Sequence, residues 1–167
     1  MITSQKNKFS IAEDKVYLNC AYMSPILKTV EDAGIDGIRK KRSPFEIGPD
    51  HFFNETDRLR KEYAKLINTK EPNRIVISTS VSYGMANVVN NIKLTSDEHV
   101  IVLGEQFPSN YYPWKRLCDN HGAELRVISA PQDHQERGKK WNEAILNAIN
   151  EKTKVVAMSH VHWADGT

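Results

Sequence analysis

Three short stretches of this 167-residue sequence carry side chains able to do chemistry. In Ser159-His160-Val161-His162-Trp163-Ala164-Asp165-Gly166-Thr167, two imidazoles stand two residues apart with a carboxylate three further on. Residues two apart share a face if the strand continues, so His160, His162 and Asp165 could be a fragment of a zinc-dependent hydrolase site. His51, His99, His121 and His134 are scattered singly and supply no evident further ligand. One histidine in a structural hydrogen bond is the simpler explanation, and no metal ligand is assigned.

The second stretch, Ser78-Thr79-Ser80-Val81-Ser82-Tyr83-Gly84, is a hydroxyl-rich bend leading into a helix. A helix N-terminus offers free N–H groups and partial positive charge, and hydroxyls add donors, so the bend suits a phosphate. Ser80 or Ser82 could equally be a plain N-cap. The lysine and glycine spacing of a P-loop is absent, and so is G-x-G-x-x-G. The third stretch, Gly104-Glu105-Gln106-Phe107-Pro108-Ser109-Asn110, sets a ring after a buried strand. A planar ligand could stack there, although such rings often only fill a core. Cys118 reads as a small buried hydrophobe within a helix. Cys20 sits in a loop without a neighbouring base to activate it. Arg39-Lys40-Lys41-Arg42 reads as a solvated helix end.

Hydrophobic periodicity supplies the elements that position these loops. An extended piece, Val16 to Leu18, precedes a turn-like stretch reaching Pro25. Helices are expected over Ile26 to Lys41 and Glu55 to Ile67, with a loop at Gly48-Pro49-Asp50 between them. After Pro72, short apolar runs alternate with helical ones. Strands are expected at Arg74 to Ser78, His99 to Leu103, Glu124 to Ile128 and Lys154 to Ser159. Helices are expected at Tyr83 to Ile92, Asn110 to His121 and Trp141 to Ile149, with Pro131 to Lys140 an exposed loop. Such alternation marks an α/β protein with a mostly parallel sheet and helices on both faces. Nearly wholly apolar strands fit burial on both sides. Ligands of such sheets sit beyond the carboxyl ends of the strands, where all three stretches lie.

Composition narrows the classes. Twenty-three basic against 21 acidic residues leave a net charge of +2, too balanced for a nucleic-acid partner. No run approaches the ~18 apolar residues of a membrane span, and the polar N-terminus does not resemble a secretory signal. Two cysteines make no disulfide framework, so a cytoplasmic setting is expected.

Four segments in order sharpen the reading: Tyr17-Leu18-Asn19-Cys20-Ala21-Tyr22, Ser80-Val81-Ser82-Tyr83-Gly84, Glu105 to Trp114, and Ser159 to Thr167. Together they resemble the N-terminal part of class V aminotransferase-like enzymes that use pyridoxal 5′-phosphate (PLP). That group includes cysteine desulfurases, selenocysteine lyases, isopenicillin N epimerase-like proteins and kynureninases. The resemblance implies part of the fold type I large domain. Residues 1–50 would form an N-terminal segment and helix lining the substrate side, and 51–167 the N-terminal half of the PLP-binding domain. It implies that Ser80, Val81 and Ser82 hold the cofactor phosphate and that Phe107 stacks on its ring. Ala21, Tyr22 and Trp163 would face an amino-acid substrate.

Two departures follow from the same resemblance. Phe107 stands where desulfurases often carry His, which is closer to the kynureninase and epimerase-like branches. Trp163 replaces a frequent Asn, and an indole donates one hydrogen bond without mimicking an amide. The family's Schiff-base lysine and its pyridine-binding aspartate follow the Gly-Thr segment, so both are expected after Thr167, and this chain alone is expected to be inactive. The expectation is therefore the N-terminal portion of a homodimeric PLP enzyme performing lyase, epimerase or transferase chemistry. The alternatives are the metal-dependent hydrolase and a non-catalytic module with a truncated PLP fold.

Overall fold

The computed structural model describes residues 3–20, 23–133 and 135–167. By its contacts the chain forms two compact units, Met1–Ile77 and Ser78–Thr167.

In the second unit three β-branched runs become strands: β1 (His99–Leu103), β2 (Glu124–Ile128) and β3 (Thr153–Ala157). They form one sheet in the order β2-β1-β3, and both pairings are parallel. Val100 lies opposite Leu125 on one side and Val155 on the other. Parallel neighbours require crossover connections. Here α4 (Tyr112–His121) links β1 to β2, and α5 (Arg137–Ala148) links β2 to β3. The helix preceding β1 is α3 (Val81–Asn90).

Alternation along β1 divides the core between two faces. Val100 and Val102 pack with Val89 of α3, with Trp114, Leu117 and Cys118 of α4, and with Ala157 of β3. Leu103 packs with Trp141 and Ile145 of α5. The expected burial on both faces holds for β1, whose five residues are all buried. It does not hold for the flanking strands, where Val127 and Val156 are 43% and 36% exposed. The helices centre on β1, and the outer strands lie at the margin of that cover.

Two glycines fix how the chain leaves these elements. Gly122 ends α4 in the left-handed region at φ 65°, which costs a residue without Cβ nothing. Gly104 follows β1, and a Cβ there would come within 3.1 Å of the Ser129 backbone. The close approach lets its N–H donate to the Ile128 carbonyl at 2.8 Å.

One expected strand is absent. Pro72–Arg74 forms a 3-10 turn, and Ile75 to Ser78 joins no sheet. Ile75 has extended dihedrals, φ −92° and ψ 122°, so the local preference is expressed. A strand also needs a neighbour to take its backbone hydrogen bonds, and no described segment offers one; Val76 is 82% exposed. The expected loop over Pro131 to Lys140 is also shorter, because α5 begins at Arg137. Similarly α3 begins at Val81, two residues before its expected start, because Ser80 caps it.

The first unit holds α1 (Lys28–Arg39) and α2 (Asn54–Leu66), within two residues of their expected bounds. The expected loop at Gly48-Pro49-Asp50 tightens into a 3-10 turn, Pro49–Phe52. Val16 to Leu18 joins no strand. Ala64 is the one buried residue described in this unit. Arg39 to Arg42 lies exposed, with Arg39 paired to Asp36 at 3.2 Å. Among the described residues no helix is long and apolar enough to cross a membrane.

Candidate functional site

The first loop is built by helix capping. Ser80 adopts extended dihedrals and its Oγ accepts a hydrogen bond from the Tyr83 N–H at 3.1 Å. Ser78 Oγ donates to the Ser80 carbonyl at 3.1 Å. The Gly84 N–H bonds the Ser80 carbonyl at 3.0 Å. The Val81 and Ser82 N–H groups have no acceptor among the described residues. The capping and phosphate readings thus separate by atom. The Ser80 hydroxyl serves the helix, and the two N–H groups that follow it remain free at the positive end of the dipole.

Val81, Phe107 and Trp163 line one open groove of about 500 Å³, together with Met85 of α3 and Val156 of β3. Phe107 is 44% exposed and meets Trp163 edge to face, with centroids 5.5 Å apart at 87°. Gln106 also lines this groove. Its Oε1 accepts from the Phe107 N–H at 3.0 Å, while its buried Nε2 has no partner. Ser82 borders a separate cleft with Tyr112 and Lys115. Ala21 and Tyr22 lie outside the described residues.

The third stretch does not assemble a metal cluster. His160 is exposed, whereas His162 is 3% exposed. The His162 Nε2 lies 3.2 Å from the Gly104 carbonyl, and its ring lies 5.2 Å from that of Trp141. His162 and Asp165 do come together, Nδ1 to Oδ1 at 3.6 Å. Asp165 Oδ1 also accepts the Thr167 N–H at 3.0 Å, and Oδ2 pairs with Arg137 at 2.8 Å. The Thr167 backbone first, and then the charge of Arg137, holds the Asp165 carboxyl below its ordinary value. Among the described residues no three His, Cys, Asp or Glu side chains could share a metal ion.

The single indole donor of Trp163 is already used, bonding the Glu105 carbonyl at 2.8 Å. Glu105 takes the left-handed conformation, φ 53°, an unusual cost for a residue with a Cβ. Cys118 is buried, and burial pushes its thiol up; Cys20 is exposed. Lys154 pairs with Glu98 at 3.0 Å near the amino ends of the strands, away from the groove.

Sequence reasoning missed Arg137 and Gln106. Arg137 stands four residues before Trp141, and its guanidinium carbon lies 5.7 Å from that ring's centroid. That i,i+4 spacing was its one legible signal. Gln106 had none beyond adjacency to Phe107.

A parallel sheet with a free helix N-terminus and an aromatic ring gathered at its carboxyl ends is the α/β arrangement in which ligands bind. The profile of the aminotransferase class-V family matches residues 49–167. The chain belongs to that family, as the four segments had indicated. Cysteine desulfurase of Cronobacter sakazakii (strain ATCC BAA-894) is 30% identical over 112 residues, which is 65% of this chain and 27% of that protein. Cysteine desulfurase of Escherichia coli O8 (strain IAI1) is 30% identical over 114 residues, 66% of this chain and 27% of that protein.

Among solved structures, C-DES with glycine covalently linked to its PLP cofactor superposes with a TM-score of 0.76 at 18% identity. That match covers 96% of this chain and 42% of C-DES. The cysteine desulfurase CsdA from Escherichia coli gives a TM-score of 0.71 at 19% identity, covering 96% of this chain and 41% of that one. The fold is therefore that of the fold type I large domain, in part. The chain spans about a quarter, 27%, of the length of the curated relatives it matches.

Proposed function

We propose that this chain is the N-terminal portion of a PLP-dependent enzyme acting on an amino acid. The observation that carries it is the groove in which Val81, Phe107 and Gln106, whose Nε2 has no partner among the described residues, meet at the carboxyl ends of the sheet. The donor set fits the cofactor's two chemistries. The free Val81 and Ser82 N–H groups would bind phosphate, with Ser80 shaping that terminus, and the Ser82 hydroxyl would reach it from the neighbouring cleft. The half-exposed Phe107 would lie against the flat ring. When bound, PLP supplies an electron sink for the bond broken at the amino acid. Phe107 and Trp163 exclude water from one side of that ring. With its donor held by Glu105, Trp163 would offer the substrate a surface and no hydrogen bond. Ala21 and Tyr22 complete the substrate side in this reading.

The choice among elimination, racemisation and transfer is left to residues outside these 167. In this reading the covalent lysine lies beyond Thr167; among the described residues none of those lining the groove is a lysine. A homodimer is part of the same proposal. Its support is the apolar surface of the first unit, where Leu18, Phe45 and Leu66 are each at least 79% exposed. A cytoplasmic setting belongs to the same proposal, and the unpaired Cys20 and Cys118 are compatible with it.

The test is intact mass measurement of the native protein with and without borohydride reduction. Reduction is expected to leave a permanent cofactor-sized increase on a lysine outside residues 1–167. A protein that takes up no PLP, from the cell or when supplied, would refute the proposal.

A further inference from the structure

Four side chains behind the groove are used by nothing described so far: Arg137, Trp141, His162 and Asp165. The segment from His162 to Thr167 closes on itself, since His162 N–H donates to the Thr167 carbonyl at 2.8 Å and Gly166 N–H to the His162 carbonyl at 2.9 Å. Gly166 makes this possible with φ 77°. A closed turn of six residues moves as a body, so its attachments decide where Trp163 points.

Among the described residues its polar attachments lead to two places. One is the loop after β1, through His162 to Gly104 and Trp163 to Glu105. The other is the first residue of α5, through the Arg137–Asp165 pair. Arg137 is itself fixed, because it donates to the Pro131 carbonyl at 2.9 Å and lies over Trp141. Trp141 is pinned by its own indole donor on the Ile128 carbonyl at 3.0 Å. The pair's side chains are only 20% and 33% exposed, so solvent screens it less than a surface pair.

We propose that the Arg137–Asp165 pair is a positioning latch that sets the angle of Trp163 and, through their edge-to-face contact, of the Phe107 ring. Arg137 and Asp165 touch neither cofactor nor substrate in this scheme. They act through Trp163, as supports that keep binding groups in one geometry. The inference rests on the cofactor reading only for what Phe107 holds; the latch itself is a property of this chain.

The test uses the intact protein labelled with 5-fluorotryptophan, in which the ¹⁹F signals of Trp114, Trp141 and Trp163 are assigned by replacing each in turn with Phe. Asp165→Asn removes the charge while keeping an acceptor for Thr167, and Arg137→Gln removes the other partner. Both are expected to shift and broaden the Trp163 signal and leave the Trp114 signal and thermal midpoint in place, whereas Arg137→Lys restores the native signal. With PLP as probe, its dissociation constant should rise roughly tenfold in the two neutral variants, the scale of one lost charged contact. An unmoved Trp163 signal would overturn the latch, as would a Trp114 signal and midpoint that change along with it. If the intact protein takes up no PLP, the functional proposal falls while the ¹⁹F signals still decide the latch.

Discussion

The two units of this chain spend similar apolar residues in opposite ways. In the second, Val100, Ile101 and Val102 are wholly buried and Trp114 is 2% exposed. In the first, both helices are amphipathic, yet α1 buries nothing and Val30 and Ile38 on it are 50% and 76% exposed. The difference lies in what each element is offered. A central parallel strand brings two neighbours and helices on both faces. A helix stripe only declares that it has something to cover. Amphipathicity is therefore a statement of need, and only the second unit meets that need from its own residues.

The largest effect should come from emptying the second unit's core. Trp114→Ala removes a ring packed among Val100, Leu117 and Cys118 and is expected to cost about 3–5 kcal/mol in urea unfolding of the intact protein. A loss under about 1 kcal/mol would mean that the contrast between the units is not one of stability. Ser80→Ala comes next. It deletes the cap on Tyr83 and should cost about 1 kcal/mol, with Ser80→Asp close to native. Gly122→Ala should cost about 1 kcal/mol through its positive φ. A Cβ there meets nothing closer than Ser96 at 3.8 Å, so steric clash does not enter.

Acidification tests the same core from its other end. His99, at the start of β1, is 2% exposed, with its Nε2 2.7 Å from the Thr153 hydroxyl and 3.1 Å from Arg126. Burial, and then the Arg126 charge, holds its imidazole below the ordinary value of 6.5. The unfolded chain therefore takes the proton more readily than the folded one. Stability from neutral His99 is complete above that ordinary value and is lost as pH falls toward the lower folded value. The unfolding midpoint should drop on going from neutral to mildly acidic buffer, and His99→Gln should flatten the drop. The smallest effect belongs to the first unit. Removing the exposed Glu62–Lys65 pair, 2.8 Å apart, with Lys65→Ala should change stability by no more than about 0.5 kcal/mol.

Legibility followed the range of the forces involved. The run from Val100 to Leu103 is apolar throughout, as suits a doubly covered strand, and the strand's bounds, His99 to Leu103, match the expected ones. A serine cap, Ser80 or Ser82, was legible because capping needs four consecutive residues and nothing else; the structure assigns it to Ser80. Ile75 to Ser78 misled for the opposite reason: its composition favours extension, but pairing depends on a distant neighbour. At the candidate site, the hydroxyl-rich start of α3 was singled out from local sequence, and Val81, Phe107 and Trp163 took their roles from the family resemblance. That Val81, Phe107 and Trp163 share a groove, and that Gln106 joins them, was not visible there.

What the sequence determined alone was the order of the five helices and of three of the four expected strands, the parallel α/β class and the family, all of which rest on local pattern and on motifs in register. The tertiary structure decided the rest, through contacts made across long stretches of chain. It turned His162 inward against Gly104, 58 residues away, and so removed it from any shared site with exposed His160. It occupied the indole donor of Trp163, and it made Arg137, read as part of a loop, the anchor of Asp165. Periodicity constrains a residue's own backbone and face; partners so far apart in the chain meet only once the sheet has set where its loops emerge.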